Sequence, residues 1–283
     1  MANIIDGKAI SMDIKNEVKV KAGELKAKGI EPCLAVVLVG EDPASQVYVR
    51  NKKKACEYCG IKSLNYELSE DTTEEELLSL IDELNANKEC NGILVQLPLP
   101  KHIDENKVLL RIKPEKDVDG FHPYNVGLLS IGKADLKACT PAGCIELIKR
   151  SGVDITGKHC VVVGRSNIVG KPVGMLLLSE NGTVTTCHSK TKDIKAVCRE
   201  ADILVAAVGI PKFIKGDMVK DGVVVIDVGI NRMDNGKLCG DVDFDEVEKK
   251  ASYITPVPGG VGPMTIAMLM NNCIVACKKQ NNL

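Results

Sequence analysis

The chain has few aromatic residues and almost no net charge. Its 283 residues include three Phe, five Tyr and no Trp, so the core must be built from aliphatic side chains and cysteine. A formal net charge of −1 gives no long-range field that would attract nucleic acid or an anionic membrane. No apolar run approaches the roughly eighteen residues of a membrane span, and the N-terminus lacks the basic and apolar regions of a signal peptide. We therefore expect a cytoplasmic protein with neither nucleic-acid nor membrane partners.

Cysteine, by contrast, is abundant, with twelve in the chain. In a chain of this size without an export signal, they indicate free thiols in a reducing compartment rather than a disulfide framework. Cys56 and Cys59 form a C-x-x-C pair, but no second pair follows at the spacing of a zinc site. Cys273 and Cys277 lie on an apolar helical segment, where cysteine packs as a small hydrophobic residue. We expect no metal site.

Strand-like and helix-like segments alternate along the whole chain, which predicts parallel sheets flanked by helices. The clearest strand is the apolar run 33–39, and the clearest helix begins at Pro43 and ends at Cys59 before Gly60. Two such series, separated near residues 113–140, predict two α/β domains with a cleft between them, the second of Rossmann type. The remaining predicted strands are 62–68, 92–97, 159–164, 183–188, 202–208, 223–228 and 253–256; the remaining predicted helices are 8–28, about 73–88, 104–112, 141–151, 170–180, 193–201 and about 264–279.

A glycine-bounded loop, Gly164-Arg165-Ser166-Asn167-Ile168-Val169-Gly170, follows the predicted strand 159–164. A glycine at a strand end allows a sharp turn, and the exposed N–H groups at the next helix N-terminus attract a diphosphate. Ser166 stands where the G-x-G-x-x-G fingerprint has its second glycine, so an ordinary βα turn is the alternative. The strand before the loop, the helix after it and the further βα units favour a dinucleotide site.

The second strand of this domain indicates which dinucleotide binds. NAD-binding domains usually carry an acidic residue at that strand end, where it accepts from the ribose 2′-hydroxyl. Here the strand ends at Cys187 and continues as His188-Ser189-Lys190, without a carboxylate. Arg165 in the glycine loop can form a charge-assisted fork with a 2′-phosphate. Both features favour NADP.

Polar side chains in the first half suggest a reactive site, although each has an ordinary alternative. Tyr48 and Lys52 share one face of a helix, where a solvated basic stretch would look the same. Gln96 ends a buried strand, and strand ends face the ligand crevice in open α/β sheets. It is equally well an ordinary strand-end amide. Asp117 and Asp119 follow in a loop, where they can also be solvated carboxylates.

A rigid loop of bare backbone leads into the last predicted helix. The segment 256–265 holds three glycines and three prolines, which suits close approach of a ligand. A tight structural turn is the alternative.

Taken in order, these motifs resemble the bifunctional methylenetetrahydrofolate dehydrogenase/cyclohydrolase family, in its stand-alone form without a formyltetrahydrofolate synthetase domain. The resemblance covers essentially the whole chain. It rests on Tyr48-Val49-Arg50-Asn51-Lys52, Val95-Gln96-Leu97-Pro98-Leu99-Pro100, Lys116-Asp117-Val118-Asp119-Gly120, the Gly164–Gly170 loop, and Pro258-Gly259-Gly260-Val261-Gly262-Pro263-Met264-Thr265. The family oxidises 5,10-methylenetetrahydrofolate with NADP and hydrolyses the methenyl product to 10-formyltetrahydrofolate. Alternatives are a dehydrogenase-only or NAD-using relative, or a non-catalytic nucleotide-binding protein on the same fold.

The resemblance also implies residue roles. Lys52 would be the central catalytic residue, Tyr48 would orient or stack on the folate, Gln96 would hydrogen-bond Lys52, and Asp119 would anchor the pterin. The further folate-binding residues it implies are Ser45, Val95, Leu97, Pro258, Gly259, Gly260, Val261 and Gly262. The cofactor residues it implies are Gly164, Arg165, Ser166, Ile168, Gly170, Ser189 and Ile230.

The resemblance finally implies a domain division and an assembly. The last helix would belong with the first domain, giving a catalytic folate domain of residues 1–139 and 264–283 and an NADP domain of residues 140–263. The family is usually homodimeric through its cofactor domain, so a homodimer is expected.

Overall fold

The computed structural model describes residues 2–283, apart from the side chain of Ala44, and it divides into two compact units. The three-stranded unit comprises Met12–Cys139 and Ile266–Leu283. The six-stranded unit comprises the N-terminal residues through Ser11 and Thr140–Thr265. Each unit is named after its main sheet.

The strands and helices follow one another in alternation. The strands are β1 (Asn3–Ile4), β2 (Cys33–Val39), β3 (Lys62–Leu68), β4 (Gly92–Val95), β5 (His159–Val163), β6 (Thr183–Cys187), β7 (Ile203–Ala206), β8 (Val224–Asp227), β9 (Asn231–Arg232), β10 (Leu238–Cys239) and β11 (Tyr253–Ile254). The α-helices are α1 (Gly7–Ala27), α2 (Pro43–Cys59), α3 (Glu74–Ala86), α4 (Glu105–Arg111), α5 (Pro123–Ser130), α6 (Cys139–Arg150), α7 (Gly170–Ser179), α8 (Ile194–Arg199), α9 (Phe244–Val247) and α10 (Val261–Gln280). Short 3₁₀ helices cover Pro114–Lys116 and Gly216–Met218.

The three-stranded unit has a parallel sheet in the order β3-β2-β4. All seven residues of the central strand β2 are buried, as expected for a strand covered on both faces. Helix α2, which follows β2, starts where Asp42 caps it and Pro43 occupies its first turn. It ends at Gly60, whose φ of 74° lies in the left-handed region that favours glycine. These two signals determine where α2 begins and ends.

The six-stranded unit has a parallel sheet in the order β1-β11-β8-β7-β5-β6. Strands β7 and β8 are buried along their whole length, and β5 is buried from Cys160 onward. Strand β1 pairs with β11, with Asn3 opposite Tyr253, so the N-terminal residues lie with this unit. The domain division implied by the family resemblance groups them with the folate domain, whereas their pairing with β11 places them in this unit.

Helix α10 starts earlier than the sequence predicted. It begins at Val261, not near residue 264, so Val261 and Gly262 are helical rather than part of the rigid loop. Pro263 does not prevent this, because the first turn of a helix needs no N–H from its residues. Among the described residues, α10 alone is long and apolar enough to cross a membrane, but 61% of its most apolar window is buried, which is typical of a core helix.

The twelve cysteines are unpaired thiols, and all lie in the described part of the chain. All but Cys239 are buried. Burial raises the pKa of the thiols of Cys56 and Cys144 to about 12, so these side chains stay neutral and pack as apolar groups.

Candidate active site

Lys52 lies on α2 in the three-stranded unit and is buried, with only 8% of its surface exposed. Its Nζ donates to Oε1 of Gln96 at 2.8 Å. Gln96 directly follows β4, and its backbone N–H donates to Val37 O in β2 at 2.8 Å, so the sheet fixes its position. The amide is oriented as well, because its Nε2 donates to Leu97 O at 2.6 Å. The helix and the strand end therefore hold one amine against one amide oxygen.

The Lys52 ammonium is electrostatically unfavourable in this position. Burial lowers the pKa of Lys52 below its ordinary value of 10.5, while the nearby Asp119 carboxylate opposes that shift. Burial likewise raises the pKa of Asp119 to about 6, with Lys52 opposing and Asp117 adding to the shift. An amine with a lowered pKa beside a carboxyl with a raised one is the pattern of groups prepared for proton transfer.

Asp119 is free for a ligand because its neighbour organises the loop. Oδ2 of the buried Asp117 accepts from His122 N and Asn125 Nδ2, each at 2.8 Å, and Oδ1 accepts from Gly120 N at 3.2 Å. Asp117 is therefore a buried anchor and not a solvated loop carboxylate. Within residues 2–283, the Asp119 carboxylate has no hydrogen-bond partner, so its acceptor sites remain available.

The other predicted folate residues of the three-stranded unit lie on α2 and at the end of β4, the elements that carry Lys52 and Gln96. Tyr48 precedes Lys52 by one turn of α2 and is 45% exposed, so its ring is open to a ligand. Ser45 is buried in the first turn of α2, where its N–H donates to Asp42 Oδ2 at 2.7 Å. Val95 is the buried last residue of β4, and Leu97 is half-buried after it.

The glycine-rich residues Pro258–Gly262 belong to the six-stranded unit, together with Gly7. The backbone approaches itself closely here, since a Cβ on Gly7 would lie 1.9 Å from Gly260 O. Gly260 N donates to Pro256 O at 2.8 Å and closes the turn. Gly259 has a φ of +110°, a conformation that side chains rarely adopt. The glycines are thus required for the turn itself, whatever ligand it meets.

The loop between β5 and α7 has the geometry of an anion cradle. Gly164 has a φ of +129°, and a Cβ there would lie 2.1 Å from Ala207 O. A Cβ on Gly170 would lie 2.3 Å from Gly164 O, so both ends of the loop require glycine. Ser166 Oγ accepts from the N–H groups of Val169 and Gly170 at 3.1 and 3.2 Å and holds the first turn of α7. In the described chain the N–H groups of residues 165–168 have no acceptor, which leaves them for a phosphate.

The remaining predicted cofactor residues lie at the same edge of this sheet, beyond the carboxyl ends of its strands. Arg165 and Ile168 are exposed in the loop after β5, Ser189 is exposed after β6, and Ile230 is exposed after β8. Carboxyl ends of parallel strands form the ligand edge of a doubly wound sheet. No carboxylate follows β6 at this edge. The residue directly after the strand is His188, whose Nδ1 accepts from Lys190 N at 3.1 Å.

Sequence reasoning missed two buried carboxylates at this edge, Asp227 and Asp241. Asp227 is the last residue of β8, and Asp241 follows β10. Both oxygens of Asp227 accept from backbone N–H groups, whereas Asp241 accepts from backbone N–H groups on Oδ2 and from the Asn231 amide on Oδ1. The signal available in the sequence was a charged residue, Asp227, directly after the apolar run 223–226.

Comparisons with known proteins agree with this geometry. Residues 5–119 match the family model for the tetrahydrofolate dehydrogenase/cyclohydrolase catalytic domain, and residues 138–281 match the model for its NAD(P)-binding domain. The bifunctional protein FolD of Agathobacter rectalis is 68% identical over 99% of this chain and 100% of its own. The FolD structure from Campylobacter jejuni is 55% identical, with a TM-score of 0.97 over 100% of both chains. The dehydrogenase-cyclohydrolase of Trypanosoma brucei, solved with NADP and an inhibitor, is 42% identical, with a TM-score of 0.93 over 100% of this chain and 99% of that one.

Proposed function

Because this chain belongs to the tetrahydrofolate dehydrogenase/cyclohydrolase family, we propose that it oxidises 5,10-methylenetetrahydrofolate with NADP and hydrolyses the methenyl product to 10-formyltetrahydrofolate at Lys52. The family membership confirms the resemblance found in the motifs. It also confirms the predicted pair of α/β domains, the second of Rossmann type. The protein is thus an NADP-dependent enzyme of one-carbon metabolism. The observation that carries the residue assignment is the buried Lys52 amine held 2.8 Å from Gln96 Oε1, beside an unpartnered Asp119.

Hydrolysis of the methenyl cation requires water to add to its one-carbon bridge and to lose a proton. Lys52 is suited to accept that proton, because burial lowers the pKa of its ammonium and a bound cation would lower it further. Gln96 keeps the amine in place through its oxygen. Cleavage of the bond from the bridge carbon to N5, with proton delivery to N5, then completes 10-formyltetrahydrofolate. General base catalysis by one positioned side chain contributes a rate factor of about 10² to 10⁴.

Folate recognition is assigned to the groups around Lys52. A carboxylate accepts from an adjacent N–H and amino group in bidentate fashion, which is the pattern on the pterin edge. The Asp119 carboxylate has no other partner in the described chain and suits this role. Tyr48 offers an exposed ring one turn from Lys52 for stacking. Ser45, Val95 and Leu97 are the further folate contacts proposed in this unit. The family resemblance also assigns Pro258, Gly259, Gly260, Val261 and Gly262 to folate binding.

The β5–α7 loop and the strand ends around it fit NADP. Bound NADP supplies the hydride acceptor for the oxidation. Gly164 and Gly170 allow the close backbone packing that forms this loop, and the free N–H groups of residues 165–168 provide donors for a diphosphate. Arg165 and Ser189 are exposed where a 2′-phosphate would need a cation and a donor, and Ile168 and Ile230 offer apolar surface. Oxidation needs no protein base; the residues of this chain act by holding the reacting carbon and the acceptor in place.

The decisive experiment is a two-cofactor assay on the purified protein. With methylenetetrahydrofolate and NADP, absorbance of reduced cofactor and of the methenyl intermediate should rise, and supplied methenyltetrahydrofolate should be hydrolysed without NADP. Lys52→Met should abolish hydrolysis, whereas Lys53→Met, an exposed neighbour on α2, should not. Full hydrolysis by Lys52→Met would overturn the assignment of Lys52.

Cofactor preference has its own test. Arg165→Ala should lower the NADP-to-NAD ratio of kcat/KM by about tenfold to a hundredfold, as expected for loss of a charge-assisted contact. Arg199→Ala removes a guanidinium that only donates to Asp217 O, so it serves as the control. An unchanged ratio in Arg165→Ala would contradict the 2′-phosphate assignment.

We further propose that the enzyme is a cytoplasmic homodimer. The near-zero net charge and the mostly buried α10 support a cytoplasmic protein without nucleic-acid or membrane partners. The family resemblance supports a homodimer formed through the cofactor domain. Light scattering after size exclusion would give about twice the chain mass of 30.4 kDa for that dimer, and a single-chain mass would contradict it.

A further inference from the structure

The loops after β7 and β8 share one edge of the six-stranded sheet. The two strands are neighbours, and Ala206 pairs with Asp227 where they end. The loop after β7 is residues 207–210, and the loop after β8 is residues 228–230, which leads into β9. Each presents one exposed isoleucine, Ile210 and Ile230, both 49% exposed. Their position at the carboxyl ends of parallel strands puts them where a dinucleotide binds in this fold class.

Asp241 ties the two loops together. Its Oδ2 accepts from Val208 N at 2.6 Å and from Gly209 N at 2.9 Å, both in the loop after β7. Its Oδ1 accepts from Nδ2 of Asn231 at 2.9 Å, and Asn231 is the first residue of β9, directly after the loop that follows β8. One carboxylate therefore sets the separation of two loops that are not adjacent in sequence.

Asp227 holds Asp241 in place. Its Oδ1 accepts from Asp241 N and from Gly229 N, each at 2.9 Å, and its Oδ2 accepts from Val242 N at 2.9 Å. The two carboxylates are 4% and 0% exposed, so these contacts are shielded from water. The result is a continuous network from the end of β8 through Asp241 to the end of β7.

The chain is shaped to admit this pair. A Cβ on Gly240 would lie 1.8 Å from Asp227 Oδ2, and a Cβ on Gly229 would lie 2.3 Å from Asp241 Oδ1. Neither glycine has a positive φ, so it is contact with the carboxylates that excludes a side chain. Two glycines are thus needed to bring the acids this close to the backbone.

The pair is electrostatically unfavourable, which argues against a purely structural purpose. Burial raises the pKa of Asp227 to about 6, and Asp241 adds to that shift, while the backbone donors oppose it. All the hydrogen bonds to the pair come from neutral donors, and Lys212 and Lys215 pair with Asp243 instead. Burying two acids without a neighbouring cation carries a desolvation penalty that lowers stability, and such arrangements concentrate at functional sites.

We propose that Asp227 and Asp241 are positioning residues that hold the loops after β7 and β8 in the conformation that binds NADP. The pair does not touch the reacting atoms; it acts through the backbone of Val208 and Gly209 and through Asn231. This inference rests on the proposed function, because it assigns the loops to NADP. Its consequence is a separation of effects: losing the pair weakens NADP binding and spares hydrolysis of methenyltetrahydrofolate.

The test compares Asp241→Ala with Asp241→Asn. The alanine variant leaves the N–H groups of Val208 and Gly209 without their acceptor, so the Kd and KM for NADP should rise at least tenfold. The asparagine variant keeps an amide oxygen for these N–H groups, and Asn231 can rotate its own amide to match, so affinity should largely return. The kcat for hydrolysis of supplied methenyltetrahydrofolate should stay within about twofold in both, since Lys52 and Gln96 lie in the other unit.

Two further variants keep the test decisive. Asn231→Ala removes only the side chain that Asp241 Oδ1 holds, so it should raise the Kd for NADP by a smaller factor even if Asp241→Ala fails to fold. Asp202→Ala is the matched control, because Asp202 accepts from His159 N at 2.8 Å beside the opposite end of β7. It should leave the Kd unchanged.

The outcomes separate the inference from the proposed function. An unchanged Kd for NADP in Asp241→Ala and Asn231→Ala, or equal losses of NADP binding and hydrolysis, would overturn the positioning role. Calorimetric NADP binding needs no turnover, so it tests the pair even in a protein that fails to oxidise methylenetetrahydrofolate. Failure of that oxidation by the wild-type protein would instead overturn the proposed function.

Discussion

Replacing Gln96 with Met should make the Lys52 amine lose its proton at lower pH. Gln96 Oε1 accepts from Lys52 Nζ at 2.8 Å, and this contact favours the charged ammonium. Methionine has nearly the same length without a strong acceptor, so the ammonium loses its partner in a site where burial already lowers its pKa. The two effects have the same sign, and the pKa of Lys52 must fall.

The size of the shift follows from the hydrogen bond. A hydrogen bond to a charged group contributes roughly 1.5 to 3 kcal/mol, and one pKa unit corresponds to about 1.4 kcal/mol. The pKa of Lys52 should therefore fall by about one to two units in Gln96→Met. If the neutral amine accepts the proton of the attacking water, log kcat/KM for hydrolysis rises with pH, and the whole rising limb moves to lower pH by that amount.

The assay is the loss of methenyltetrahydrofolate absorbance across a pH series, after subtraction of the enzyme-free hydrolysis rate. The profile of kcat/KM reports groups of the free enzyme, which is the state that the structure describes. Gln96→Glu should move the limb in the opposite direction, since a carboxylate favours the ammonium. Gln46→Met removes an exposed amide from the same helix and should leave the profile unchanged.

Two results would refute the reasoning. If the rising limb of the pH profile stays in place or moves to higher pH in Gln96→Met, that limb does not report the titration of Lys52. Activity that falls as Lys52 loses its proton would mean that the charged ammonium is the active form, so the lysine would act by its charge and not as a base.

Three further predictions concern the carboxylate, one helix end and the thiols. Asp119→Asn should raise the KM of both folate substrates about tenfold to a hundredfold without changing the Kd for NADP. Steady-state kinetics and NADP calorimetry measure the two quantities, and an unchanged KM with a raised Kd would contradict the assignment. Thr73→Ala removes the capping box that Thr73 shares with Glu76 at the start of α3, so urea titration should show about 1 kcal/mol less unfolding free energy, whereas Thr72→Ala should change it by under about 0.5 kcal/mol. Thiol titration of the native protein should label Cys239 quickly and the buried cysteines slowly; fast labelling that persists in Cys239→Ser would contradict the burial of the other thiols.

The central elements of both sheets were predictable because their signals are local. The apolar run of β2 and the helix from Pro43 to Gly60 have the bounds that the sequence gives them. A strand buried on both faces is a continuous apolar run, and proline and glycine mark helix ends by their own backbone preferences. No partner from elsewhere in the chain is needed to recognise either pattern.

The elements that escaped prediction depend on distant partners or on weak local signals. Strand β1 has two residues and exists because Asn3 and Ile4 pair with β11, some 250 residues later. The hairpin of β9 and β10 is equally short. Helix α5 begins at Pro123 and contains Asn125 and Gly127, so it reads as a polar loop although His122 caps it. Contacts with the rest of the fold determine the structure of these segments, and the local sequence pattern does not show those contacts.

The same limit applies to the site. Lys52 and Gln96 are 44 residues apart, and spacing alone left open that they were an ordinary surface lysine and an ordinary strand-end amide. The family resemblance linked them, but the 2.8 Å contact and the burial that lowers the pKa of Lys52 belong to the folded chain. Sequence patterns name residue types; desolvation and close approach come only with packing.

The acidic residues show which property separates a ligand-binding carboxylate from a structural one. In the motif Asp117-Val118-Asp119-Gly120 the two acids look equivalent, yet Asp117 accepts from backbone N–H groups and from Asn125, whereas Asp119 has no partner in the described chain. Asp241 follows the first pattern, with both oxygens occupied by loop donors. A carboxylate has a limited number of acceptor positions, so counting the donors that the protein already supplies shows what remains for a ligand. By that count Asp119 keeps the acceptor positions that its proposed role in substrate binding requires, whereas Asp117 and Asp241 use theirs on the loops around them.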